Sequence, residues 1–220
     1  MQGRSGDTGA LLRFGATVSV VQSVLFVVIG VCAAVLGVDQ LVEDGFASLP
    51  ASNLTAFRAL CGAFVVIAVL GLAITPAERR AVGDQHAGWA DLGASLAYLG
   101  HAGTIAFFSW WLVATRHGAT PDGSGDLMPL AWGAGFELVL VGAWVWIIAA
   151  LIRRDVRWPG WFWWLSVAKA TSFWTAYIGL LSDRSEIVVV TVGAVSFVTG
   201  PAWHLSIAGI FRRFDMQEQQ

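Results

Sequence analysis

The chain has 220 residues, 56% of them hydrophobic and 13% charged, with a formal net charge of −2. Soluble domains carry roughly 25% charged residues, so this composition excludes an ordinary soluble domain and indicates an integral membrane protein. With no basic excess, nothing argues for nucleic acid as a partner. The twelve tryptophans suit a membrane protein, in which indole rings anchor helices at the headgroup level.

Six apolar runs reach the length of about 20 residues that one bilayer crossing requires. They cover 14–37, 56–75, 92–115, 129–152, 161–182 and 187–211. The first follows Arg4 and Arg13. It is about twice as long as the ~7–15-residue hydrophobic region of a signal peptide and reads as a retained helix. It carries Gln22 and Cys32. Residues 38–55 form the longest connection, with room for a short interfacial helix. Asn53-Leu54-Thr55 matches a glycosylation sequon, but Asn and Thr are also good helix N-caps, and here they precede the second run. That run holds Cys61 and ends before Pro76, which reads as a break. Both cysteines sit in apolar surroundings without ligand-like spacing, so they read as small packing residues, with no disulfide or zinc site.

The third run holds His101, with Tyr98, Thr104 and Phe108 on its stripe. A turn at Pro121-Asp122-Gly123 leads into the fourth, where Glu137 shares a stripe with Gly133, Ala134 and Trp144. Arg153 to Pro159 makes a tight hairpin into the fifth run, which contains Lys169, the single lysine of the chain. Ser166, Ser172, Phe162 and Phe173 share the face of Lys169, which suggests that this face points inward. In the sixth run Gly200-Pro201 precedes His204, and the proline can kink the helix and free a carbonyl. The residues from Asp215 to Gln220 read as a short polar tail.

Arginine placement gives the orientation. With a cytoplasmic N-terminus, the inner segments hold Arg4, Arg13, Arg79, Arg80, Arg153, Arg154, Arg157, Arg212 and Arg213. The outer segments hold Arg58, Arg116 and Arg184, together with the acidic Asp39, Glu43, Asp44, Asp122, Asp126, Asp183 and Glu186. That is the positive-inside pattern, and six crossings then put both termini in the cytoplasm. Trp89, Trp158, Trp161, Trp163 and Trp164 fall near the inner interface; Trp110, Trp111 and Trp132 fall near the outer one. No internal repeat supports an inverted-repeat transporter fold. The fold expected is an all-α bundle of six transmembrane helices in a single integral membrane domain over residues 1–220.

Ionisable groups inside such spans are costly and mark candidate sites. At the helical rise, Gln22, His101, Lys169 and His204 all fall about 10–13 Å below the inner boundary. Glu137 lies further out, and Trp144 comes near the depth of Lys169. Lys169 can snorkel to the headgroups, pair with Glu137, stack on Trp144 or serve a ligand or proton. The histidines can be contacts between packed helices.

Four functions are open to such a layer. The first is a non-enzymatic binding or regulatory protein with a polar pocket towards the cytoplasm, whose partners are the bilayer and a lipophilic small molecule. The second is an enzyme acting on a lipid or isoprenoid, against which stands the lack of a carboxylate pair or a metal cluster within the spans. The third is a small proton-coupled transporter. The fourth is a b-type haem protein with His101 and His204 as axial ligands; otherwise no cofactor and no metal is expected.

The segment from Gly193 through Gly200-Pro201-Ala202-Trp203 to Gly209 and Arg212-Arg213 resembles the closing helix of a group of six-pass prokaryotic membrane proteins classed as a domain of unknown function. The hairpin from Arg153-Arg154 to Trp158-Pro159-Gly160 is similar as well. The resemblance covers about the last third of the chain. It implies a six-helix membrane fold and carries no activity or site residues. Low lysine with abundant alanine, glycine and arginine suggests a prokaryotic plasma membrane.

Overall fold

The computed structural model describes residues 3–37, 53–116, 133, 135–182 and 184–218. Every regular element among them is helical. We label six helices: α1 Gly3–Leu36, α2 Leu54–Val82, α3 Ala87–Arg116, α4 Phe136–Ile152, α5 Gly160–Leu181, and α6, which runs from Ser185–Ala194 through Val195–Thr199 to Gly200–Glu218. Segments of α1, α2, α3 and α6 are long and apolar enough to cross a membrane. At 22 residues, α5 spans about 33 Å at the helical rise, although its tryptophans reduce its hydropathy. Several sequence-based expectations lie outside the described residues: the interfacial helix within 38–52, the turn at Pro121-Asp122-Gly123, the loop carboxylates Asp39, Glu43, Asp44, Asp122, Asp126 and Asp183, and Trp132 and Ala134.

The helices pack in chain order, each against the next, and α6 closes the ring against α1. Two kinds of contact hold the ring together. Within it, buried apolar side chains form an inner cluster centred on Trp144, Ile148, Phe162, Trp203 and Phe211 and an outer cluster centred on Phe57, Cys61, Phe108 and Trp111. Between helices, small residues permit close approach, as is usual in membrane bundles. A methyl group added at Gly93 would stand 2.2 Å from the Trp144 ring, and one at Gly71 would stand 2.3 Å from the His101 ring. These two glycines let α3 and α2 seat the large side chains that build the core site.

Two helix ends and two tryptophans differ from the sequence reading. Pro76 does not end α2, which runs on to Val82. A membrane helix tolerates the missing N–H because neighbouring groups satisfy the freed backbone, and one turn of continued helix carries Glu78 into the core. The sixth helix runs past residue 211, and Asp215 is not part of a solvated tail. It is buried and paired with Arg13 at 2.8 Å. Two tryptophans assigned to interfacial belts, Trp111 and Trp158, are buried instead. Trp111 packs edge-on against Phe57, and Trp158 stacks on Phe162. Trp89, Trp110, Trp161 and Trp164 are exposed, as interfacial anchors should be. Asn53 caps α2, accepting the Ala56 N–H at 3.0 Å.

The Arg13–Asp215 pair joins the start of α1 to the end of α6, so both ends of the chain lie at one end of the bundle. That end also holds the α2–α3 turn and the α4–α5 hairpin. Arg79 binds Asp91 at 2.6 Å and Asp84 at 3.3 Å. In the hairpin, Arg157 binds Asp155 and reaches the Val82 carbonyl of α2, while Arg213 of α6 donates to the Arg157 carbonyl. The arginine-rich end is thus one connected rim.

Hydrogen bonds from the Arg157 side chain, helped by the Arg157 backbone N–H and opposed by partial burial, hold the Asp155 carboxyl below the usual carboxylate range. The contribution is therefore complete above the ordinary carboxylate pKa of about 4 and is lost as pH falls through the lowered folded-state value. Replacing Asp155 with Asn should lower the melting temperature at neutral pH by the equivalent of about 1 kcal/mol or less, since Arg157 is half exposed. The same change should flatten the acid limb of a stability–pH profile measured in detergent.

Candidate functional site

The interior of the bundle brings together side chains from all six helices. Gln22 (α1), Glu78 (α2), His101 (α3), Glu137 and Trp144 (α4), Lys169 (α5), and Trp203 and His204 (α6) line one cavity of about 20 Å³. All six residues singled out from the sequence are among them. Buried polar groups in a membrane interior require partners, and the partners fall into three sets.

The first set centres on Lys169, which is 2% exposed and does not snorkel. Its Nζ lies 3.0 Å from His204 Nε2 and 3.8 Å from the centre of the Trp203 ring. Phe26 and Phe173 complete an aromatic surround at 5.5 and 5.6 Å. A desolvated cation–π contact of this kind contributes about 2 kcal/mol. Trp203 is held in place because its Nε1 donates to Ser166 Oγ at 3.0 Å, and Ser166 in turn donates to the Phe162 carbonyl. The serine on the lysine face of α5 thus orients the ring on which the lysine rests. The expected Lys169–Trp144 stacking does not form, because Trp203, from α6, takes that position.

The second set joins α3 to α4. His101 Nδ1 and Thr104 Oγ1 each lie 3.2 Å from Glu137 Oε2. The expected Glu137–Lys169 pair is replaced by a Glu137–His101 pair. Glu137 stands in a π-helical segment, Phe136–Val141, where the N–H of Gly142 reaches back five residues to the Glu137 carbonyl. A second π segment, Val195–Thr199 of α6, ends at Gly200, whose N–H bonds to the Val195 carbonyl. It lies just before Pro201, which has no N–H to continue the ladder. Both segments border a second cavity of about 70 Å³, which shares Phe26, Ile67 and Glu137 with the first. Single π turns inside α-helices are frequent at functional sites.

The third set is one that the sequence reading missed. Trp144 Nε1 donates to Glu78 Oε2 at 2.6 Å, with both groups buried. Reading Pro76 as a break put Glu78 in a polar loop beside Arg79 and Arg80. The signal that could have found it is the stripe Gly71, Ile74, Thr75, Glu78, Val82, which keeps helical spacing straight through the proline.

Two polar atoms lining the first cavity have no partner among the described residues: Gln22 Oε1 and His204 Nδ1. Gln22 Nε2 donates to the Ile67 carbonyl at 3.2 Å, which fixes the amide orientation and leaves Oε1 free. With Lys169 donating to Nε2, His204 carries its proton on Nδ1. The cavity therefore holds one free acceptor and one free donor, and its volume suits a single water molecule.

That volume also bears on the larger ligands. Drug-sized molecules take pockets of roughly 300–1,000 Å³, so a lipophilic molecule enters neither interior cavity unless the helices part. Among the described residues no group of three or more His, Cys, Asp or Glu side chains could hold a metal ion. No protein-family model, curated protein or solved structure matches this chain.

Trp144→Phe leaves the Glu78 carboxyl buried without this donor and should destabilise the protein by about 1–3 kcal/mol, read as thermal unfolding in detergent. The double variant W144F/E78M, in which neither polar group is left alone, should recover part of that loss. Strict additivity of the two single changes would show that the bond carries no energy.

Proposed function

We propose that this protein is a multi-pass plasma-membrane protein of a prokaryote, with both termini cytoplasmic, and that it is a non-enzymatic binding or regulatory protein acting through its intramembrane polar site. The orientation is supported by the arginine-rich rim, which collects both chain ends at one end of the bundle and matches the positive-inside pattern. The observation that carries the reading is the convergence of Glu78, Glu137, Lys169, His101 and His204, from five helices, on a cavity of about 20 Å³.

Intramembrane ionisable groups default to a functional assignment. The cavity size favours a ligand no larger than water or a small ion over a lipid, and this weighs against a lipid- or isoprenoid-processing enzyme. The two π segments supply a way to transmit binding. Each is a locally loosened turn beside the site, one in α4 and one in α6, where a change of charge can alter helix register.

A carrier would use the same groups to pass protons across the membrane. In proteoliposomes bearing a pH gradient, the regulatory reading expects the gradient to persist equally with wild-type protein, with K169M and with empty vesicles. A protein-dependent collapse of the gradient that K169M abolishes would establish transport instead. Reporter fusions at both termini should be active only in the cytoplasm.

A further inference from the structure

The polar contacts leave one buried carboxyl without a basic partner. Among the described residues Glu137 is paired with His101, whereas Glu78 has no basic group within 4 Å and a single hydrogen bond, from the neutral indole of Trp144. Lys169 contacts no carboxylate at that range; its neighbours are His204 and three aromatic rings. A buried carboxylate with no basic partner and a single neutral donor is strongly disfavoured, and Glu78 is the carboxyl in that position.

From this geometry, we infer that Glu78 is a proton-binding residue: its carboxyl takes one proton from the cytoplasmic side, changing the charge of the core by one. The inference rests on the binding and regulatory reading above and names the ligand of that site. A proton suits the lining better than an alkali cation. Hard cations require several oxygen ligands, whereas this cavity offers two imidazoles, an ammonium and few free oxygens.

The position of Glu78 provides access. It lies one helical turn from Val82, the end of α2, or about 6 Å at the helical rise. The next residue, Arg79, reaches the exposed carboxylates Asp84 and Asp91 at the rim, which can deliver protons from bulk water. Other elements packed around Glu78 contribute Gln22 from α1, His101 and the partly exposed Tyr98 from α3, Glu137 from α4, Lys169 from α5 and His204 from α6. Trp144 reports the switch directly. Its N–H meets a charged oxygen in one state and a neutral carboxyl in the other, and it stands three residues beyond the π segment of α4.

The test uses the full chain in lipid nanodiscs. Infrared difference spectra between acid and alkaline buffer should show a protonated-carboxyl band that disappears on alkalinisation. The band should be missing in E78Q and retained in E137Q. If E78Q fails to fold, W144F, which keeps the carboxyl, should shift the pH at which the band is lost. A band that persists at every pH overturns the inference, as does one removed by E137Q and kept in E78Q. A band at fixed pH that responds to sodium and not to choline overturns it in favour of an alkali cation. Loss of titration with the proteoliposome gradient intact refutes this inference alone. Titration with a collapsed gradient refutes the regulatory reading alone.

Discussion

A charge inside a bundle surrounded by lipid has no water to solvate it, so it persists only where other side chains do that work. Lys169 is where this constraint is tightest. Its ammonium is buried to 2% exposure and is solvated by one imidazole and three aromatic rings drawn from α1, α5 and α6. Meeting that requirement sets much else. Trp203 must be held by Ser166, Phe26 must reach in from α1, and α6 must pack on both α5 and α1 to bring His204 and Trp203 to the same place. Closure of the ring and solvation of the lysine are therefore one structural event.

The opposite wall is built by close approach. Gly71 and Gly93 remove the volume that would keep His101 and Trp144 out of the interior. The two aromatic heterocycles then present N–H groups to Glu137 and Glu78. Each carboxylate is thus held by a ring from a neighbouring helix, and each helix contributes to a polar contact it could not satisfy alone. The rim below repeats the pattern in a wetter setting, with Arg13, Arg79 and Arg157 tying the helix ends together through pairs in which one partner is exposed. Such pairs contribute little energy individually. What they do is keep the ends in register beneath a core that tolerates little movement.

Two π segments and a mid-helix proline lie next to the buried charges. Regular α-helix would place Glu137 and Ser196 differently relative to the cavities, and a helix ended at Pro76 would leave Glu78 outside. The irregularities position the polar groups, as expected where backbone regularity is given up beside a site.

Hydropathy alone determined the six helices and their approximate limits, because a bilayer crossing needs an uninterrupted apolar run and leaves little freedom in where it lies. Charge placement determined which ends lie together, since arginines avoid the interior and gather on one side. Polar and ionisable groups inside apolar spans, with the helical rise for their depth, were enough to single out Gln22, His101, Glu137, Trp144, Lys169 and His204, and the structure lines one cavity with all six. Only the tertiary structure decided who partners whom. Depth along a helix does not fix which neighbour stands beside it, so Lys169 found Trp203 rather than Trp144, and Glu137 found His101 rather than Lys169. Nor could composition reveal Glu78. A carboxylate after a proline and before two arginines looks like a loop, and only packing against α3 and α4 keeps that turn helical and turns its acid inward.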